Sequence, residues 1–185
     1  MRMYELYIHT ARQGGLIREL AASIWPEGEL LALSRQTAVL QLPEAPEDSL
    51  DAYHELIMSD VSQPFTIALF TPQSRSLIGR KWLCRALERL PFGHYADDSV
   101  LYALNKHFAN ARKEFRRRLE NRISKHLLES ALALAHADLN ATLAAKRLYV
   151  HRNTLLYRLR QFKLQTGLDP QRFRTAALLD LLYTL

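Results

Sequence analysis

From residue 94 to residue 166 the chain contains neither proline nor glycine, although it holds 7 prolines and 6 glycines elsewhere. Those residues punctuate local structure, so a span this long, rich in Ala, Leu, Arg, Lys and Glu, predicts helices separated only by short turns. Upstream the texture changes. Residues 29–33 and 37–42 are short apolar runs separated by Ser34-Arg35-Gln36, which predicts a hairpin. Residues 65–70 form a strand pattern bracketed by Pro64 and Pro72, and residues 3–8 are a weaker strand candidate. Between them Leu16, Leu20 and Ile24 recur at four-residue spacing, and Leu50, Tyr53, Ile57 and Val61 mark a second helix with Ser49 as its N-cap. A further helical segment runs from about Ser74 to Leu90. The order strand, helix, hairpin, helix, strand suits a small antiparallel sheet covered by helices on one face. The expected class is therefore α+β: a small antiparallel sheet with helices in the N-terminal half and an all-α helix-turn-helix domain at the C-terminus. Three units are expected, 1–92 (α+β, for sensing or dimerisation), 93–123 (a helical connector) and 124–185 (the helix-turn-helix), with the first boundary near Pro91-Phe92-Gly93.

At 185 residues, 48% hydrophobic and 24% charged, the composition is that of a soluble globular protein. The net charge of +6 is unevenly spread. Residues 1–110 carry 10 Lys/Arg against 13 Asp/Glu, a net −3, and residues 111–185 carry 15 against 6, a net +9. Each cation beside a phosphate releases condensed counterions, so a basic excess confined to one end is the electrostatic footprint of a polyanion-binding segment. On charge alone a solvated helix surface would be the better explanation, and an accompanying motif would reverse that order.

A motif does accompany it. Residues 140–159, Asn-Ala-Thr-Leu-Ala-Ala-Lys-Arg-Leu-Tyr-Val-His-Arg-Asn-Thr-Leu-Leu-Tyr-Arg-Leu, fit two short helices joined by a tight turn. Ala144, Ala145, Leu148, Val150, Leu155 and Leu159 fall on the inward side, and the small alanines let the helices approach closely. Asn140 is placed to cap the first helix. His151 is placed to cap the second, whose free N–H groups and dipole favour a phosphate. Arg152, Asn153 and Thr154 in its first turn, with Tyr157 and Arg158 one turn on, are hydrogen-bonding side chains where base edges would lie, and Arg152 can address guanine bidentately. Tyr149 occupies the turn, where glycine is common because the backbone there can require positive φ. Gly167 is a natural helix stop, and Asp169-Pro170 starts a last helix with Phe173, Ala177, Leu178, Leu181 and Leu182 on its core face.

The run Leu-Tyr-Val-His-Arg-Asn-Thr-Leu-Leu-Tyr-Arg-Leu of residues 148–159, continued through Thr166-Gly167-Leu168-Asp169, closely resembles the C-terminal domain of the purine-catabolism and sugar-diacid (PucR/CdaR-type) transcriptional regulators. The resemblance covers about residue 127 to residue 185. In that family a bulky apolar residue occupies the turn and His-Arg-Asn-Thr-Leu follows it. Where the family tends to have glycine before the first motif helix, this chain has Asp138-Leu139. The resemblance implies a sequence-specific DNA-binding regulator whose recognition helix, from about Arg152 to Thr166, lies in the major groove. His151, Arg152, Asn153, Thr154, Tyr157 and Arg158 are its expected DNA-binding residues. The upstream half weakly resembles the degenerate GGDEF-like module that precedes this domain in many such regulators. Gly14-Gly15 is followed by Leu-Ile-Arg, however, so the acidic pair such cyclases use is missing and no catalytic residue is expected.

Leu101, Leu104, Phe108, Ala111 and Phe115 keep helical spacing into the basic run of residues 112–118. This is either an amphipathic helix packed on its own domain or a seam pairing with a second copy, and Arg116, Arg117 and Arg118 are candidate phosphate contacts. His9, His54, His94, His107, His126 and His136 have no metal-ligand spacing, Asp97-Asp98 reads as a helix start, and no metal or cofactor is expected. Cys84, the only cysteine, excludes an intramolecular disulfide, and its apolar surroundings suggest burial. No membrane-length apolar run and no signal-like N-terminus are present, which predicts a cytoplasmic location without membrane association. The expected partners are double-stranded DNA and a second copy of the chain forming a homodimer. A small-molecule effector, the operator and the sign of regulation are not legible. Two competing expectations remain: a non-catalytic protein-interaction module that keeps the helix-turn-helix as a folding unit, and a nucleotide-handling enzyme.

Overall fold

The computed structural model describes residues 3–11, 15–61 and 63–184. Its order is β1 (Tyr4–Thr10), α1 (Gly15–Ile24), β2 (Glu29–Ala32), β3 (Thr37–Leu42), α2 (Leu50–Asp60), β4 (Phe65–Phe70), α3 (Pro72–Arg75), α4 (Arg80–Leu87), β5 (Gly93–Ala96), α5 (Asp97–His107), α6 (Ala109–Arg122), α7 (Lys125–Ala135), α8 (Ala141–Arg147), α9 (Arg152–Thr166) and α10 (Phe173–Thr184). The strand, helix, hairpin, helix, strand order is the expected one, and a sheet-bearing N-terminal part is followed by helices. Gly14 of the Gly14-Gly15 pair lies outside the described residues.

The sheet has the order β2-β3-β1-β4-β5. Strand β1 pairs antiparallel with both β3 and β4, and β2 completes the hairpin with β3. Two features differ from expectation. Strand β5 adds parallel to β4, Thr66 opposite Gly93 and Leu69 opposite Ala96, so the sheet is mixed. Helices also cover both faces, because the inner strands are apolar on both sides. Leu6, Ile8, Leu40, Phe65 and Ile67 pack against α1 and α2 through Ile17, Ala21, Tyr53 and Ile57. Tyr7, Val39, Ala68 and Phe70 face the opposite way into a core that continues through α4, α5 and α6 to the C-terminal helices. Strands flanked by two such layers cannot leave a face to water.

Two helices expected to be continuous are broken. The segment from Ser74 to Leu90 splits at 76–79, where Leu77 and Ile78 turn into the core. The apolar series from Leu101 to Phe115 splits at Phe108, an extended residue that caps both α5 and α6 and whose ring lies 5.8 Å from that of Trp82. Leu101, Leu104, Ala111 and Phe115 are fully buried by the chain's own helices, so they are not available as a seam to a second copy. Cys84 is half-buried, and burial pushes its thiol up.

One buried carboxylate ties the sheet to the helices that carry the C-terminal domain. Glu5 on β1 accepts from Tyr7 at 2.6 Å, Gln41 at 3.1 Å, Arg80 at 2.5 Å and Arg75. Burial alone would raise its pKa. Hydrogen bonds from Arg80 and Tyr7 and the Arg75 guanidinium outweigh that and hold it at about 2, against an ordinary 4.5. Arg75 belongs to α3, and α3 is the seat of Gly167, the residue that ends α9 in a left-handed conformation at φ 76. A Cβ on Gly167 would collide with Thr71 Oγ1, which caps α3 by accepting from Ser74 N. We expect Gly167→Ala to lower stability by about 2 kcal/mol, the cost of a left-handed side chain, measurable by urea unfolding. An unchanged midpoint would mean that this junction is loose.

A second junction joins α5 to α10. Asp97 and Asp98 do start α5, and both are buried. Asp97 accepts from Ser74 Oγ at 2.6 Å, and Asp98 lies 3.4 Å from both Thr175 Oγ1 and Arg172 Nε at the foot of α10. No helix among the described residues is long and apolar enough to cross a membrane.

Candidate nucleic-acid interface

Helices α7, α8 and α9 form the motif, and side-chain caps fix where its two inner helices begin. Asn140 Oδ1 accepts from the amides of Thr142 and Leu143, both at 3.1 Å, which starts α8. Helix α8 ends in a Schellman turn: Tyr149 N–H donates to Lys146 O at 3.1 Å and Val150 N–H to Ala145 O at 3.0 Å. That pattern requires a left-handed residue at position 149, and Tyr149 supplies it with φ 54. A side chain there costs about 1–2 kcal/mol relative to a right-handed one, which glycine would avoid. The same turn closes α7, where Leu139 N–H donates to Leu134 O at 3.0 Å and Asp138 and Leu139 have φ 53 and 63. Asp138-Leu139 therefore adopts the backbone that glycine would favour at this place.

His151 Nδ1 accepts from Asn153 N at 3.2 Å and starts α9, which assigns the ring proton to Nε2 and leaves that donor facing water. Ala144, Ala145, Leu155, Leu159 and Phe162 are buried, with Leu148 and Val150 half-buried against them, so the inward set read from the sequence locks α8 onto α9. Arg147 donates to His136 O at 2.6 Å and pins α8 to the end of α7.

The first turn of α9 is left free by this packing. Arg152, Asn153 and Thr154 are exposed, and their side chains have no hydrogen-bond or ionic partner among the described residues. Tyr157 is 63% exposed and Arg158 half-buried. The spacing of Asn153, Tyr157, Arg160 and Leu164 puts them in one stripe, and all four are exposed. Arg160 was absent from the sequence-derived set, although its three-residue step from Tyr157 would have placed it.

The basic run of α6 lies elsewhere. Arg118 donates to Ser76 O at 3.2 Å and pairs with Glu114 at 2.8 Å. Arg116 pairs with Glu120 at 2.9 Å, and its guanidinium carbon lies 4.5 Å from the Tyr183 ring centroid. Arg117 is exposed. Arg122, one turn beyond Arg118, reaches Gln73 O of α3, beside the Gly167 end of α9. That end is about 22 Å from the first turn at 1.5 Å per residue. The phosphate contacts considered for Arg116 and Arg118 would compete with these pairs.

Residues 127–185 match the PucR C-terminal helix-turn-helix domain. The matched segment thus takes in most of α7 and the helices that follow it, the capped pair α8 and α9 included, and agrees with the resemblance read from residues 148–169. It is a domain of DNA-binding transcription regulators, which is the coarse function it supports here. Among solved structures, a regulator of polyketide synthase expression from Bifidobacterium adolescentis is similar at TM-score 0.48 and 16% identity, covering 98% of this chain and 79% of that one, a likeness too loose to bear on function. No curated protein sequence matches the chain.

Proposed function

We propose that the chain is a sequence-specific transcriptional regulator of the PucR type that binds double-stranded DNA as a homodimer. Helix α9 enters the major groove by its first turn. Arg152 addresses a guanine edge, Asn153 and Thr154 serve bases or backbone, and Tyr157 and Arg158 make flanking contacts. His151 caps the helix and offers Nε2–H to a phosphate. We assign residues 1–92, whose sheet β5 (Gly93–Ala96) completes, to dimerisation, partner contact or effector sensing without nucleotide turnover, the remainder of 93–123 to the connection, and 124–185 to DNA binding.

The observation that carries this reading is the exposed triplet Arg152, Asn153 and Thr154, without side-chain partners among the described residues, directly behind a side-chain-capped helix start, in a PucR-type domain within a segment of net charge +9. Charged and amide groups left exposed at a helix start are placed for an external partner, and the surrounding charge selects a polyanion. A second copy is required because one short helix buries too little DNA surface for high specificity. Gel mobility shift on fragments of the source genome, with excess unrelated duplex as competitor, should retain a small subset of fragments, and light scattering should report a dimer. Equal retention of all fragments, or a monomer binding one site tightly, would contradict the proposal.

A further inference from the structure

We infer that Tyr149 is a sequence-independent DNA anchor whose phenolic O–H donates to a backbone phosphate at the rim of the groove that α9 enters. This rests on the regulator reading above and adds a residue to it. Tyr149 is 96% exposed, so its ring buries nothing against the protein, and its hydroxyl has no partner among the described residues. Its backbone is left-handed at φ 54, where a side chain is disfavoured and glycine would close the same Schellman turn without strain. The side chain therefore contributes nothing to the fold that would offset its own backbone cost.

Its location supplies the alternative. Val150, which follows it, packs half-buried against the core and His151 caps α9, so Tyr149 projects from the turn two residues before the cap and three before Arg152. A side chain beside the entering end of a recognition helix meets the sugar-phosphate rail, and tyrosine hydroxyls are among the donors that position proteins there. The contact is neutral. It releases no counterion, which separates it from an arginine or lysine contact in the salt dependence.

The test uses the full chain, the duplex it selects from a random pool and an unrelated duplex of equal length. Tyr149→Gly should melt no lower than the wild type yet bind both duplexes about three- to tenfold more weakly, the loss expected of one hydrogen bond. The slope of log affinity against log salt should be unchanged. Tyr149→Phe, which keeps the ring and the backbone strain, should reproduce most of the loss. Wild-type affinity in either variant, a loss confined to the selected duplex, or a reduced salt slope would overturn the assignment. A lower melting temperature for Tyr149→Gly would make the residue structural and overturn it too. A wild-type chain that bound neither duplex would instead defeat the regulator reading itself.

Discussion

Glu5→Ala should lower the stability of the whole chain by about 3 kcal/mol, because it leaves two guanidinium groups without the carboxylate they converge on. Arg75 is the more deeply buried of the two, at 17% side-chain exposure, whereas Arg80 at 37% can turn partly into water. That difference keeps the expected loss at the lower end for a broken buried pair. At about 2–4 °C per kcal/mol for a chain of this size, the melting temperature should fall by roughly 6–12 °C. The pH dependence checks the same number. A carboxyl held at about 2 in the folded chain and near 4.5 when unfolded contributes stability that is fully present above pH 4.5 and is lost as the pH falls toward 2. The shift is worth about 3 kcal/mol. Denaturant titrations from pH 6 to pH 2.5 should show this loss in the wild type and much less of it in Glu5→Ala. Parallel curves for the two proteins would remove Glu5 from the account of what joins sheet to helices.

Arg152→Ala should leave thermal unfolding nearly unchanged and cost about 1–3 kcal/mol of discrimination at one base pair per half-site. The first part follows from exposure, since the side chain touches no partner within the described residues. The second follows from its place in the first turn of α9, behind the His151 cap, where a planar fork can meet the two acceptors of guanine. Competition between duplexes differing at single positions would locate the affected pair. Equal weakening on every sequence would make Arg152 a phosphate anchor and rotate the expected reading face. Unfolding would make it structural.

Much of the candidate interface was legible in the sequence because its determinants are local. Asn140, His151 and Gly167 act on backbone groups within four residues, and the buried positions 144, 145, 155 and 159 follow from helical periodicity alone. The continuous helix from Arg152 to Thr166 ends where the glycine stands. The upstream half was legible in its order of elements and less so in its layering. Continuous apolar runs such as Leu6-Tyr7-Ile8 signal a strand covered on both faces, and that signal outweighs the expectation of a single helical layer. Strand β5 has four residues and no alternation, and it pairs with β4, some 27 residues earlier in register, so nothing nearby announces it. The break at Phe108 carries no proline or glycine; packing against Trp82 redirects the chain there. The Glu5 cluster gathers Tyr7, Gln41, Arg75 and Arg80 from four elements, a convergence that exists only after folding.

The central claim is that the exposed first turn of α9 reads base sequence, and selection of bound duplexes from a random pool by the full chain tests it most directly. The account predicts a recurring motif arranged as two half-sites about one helical turn apart, centre to centre about 10–10.5 base pairs, with a guanine at the position where Arg152→Ala relaxes the preference. Recovered sequences with no shared motif, bound with an affinity set by salt alone, would contradict it.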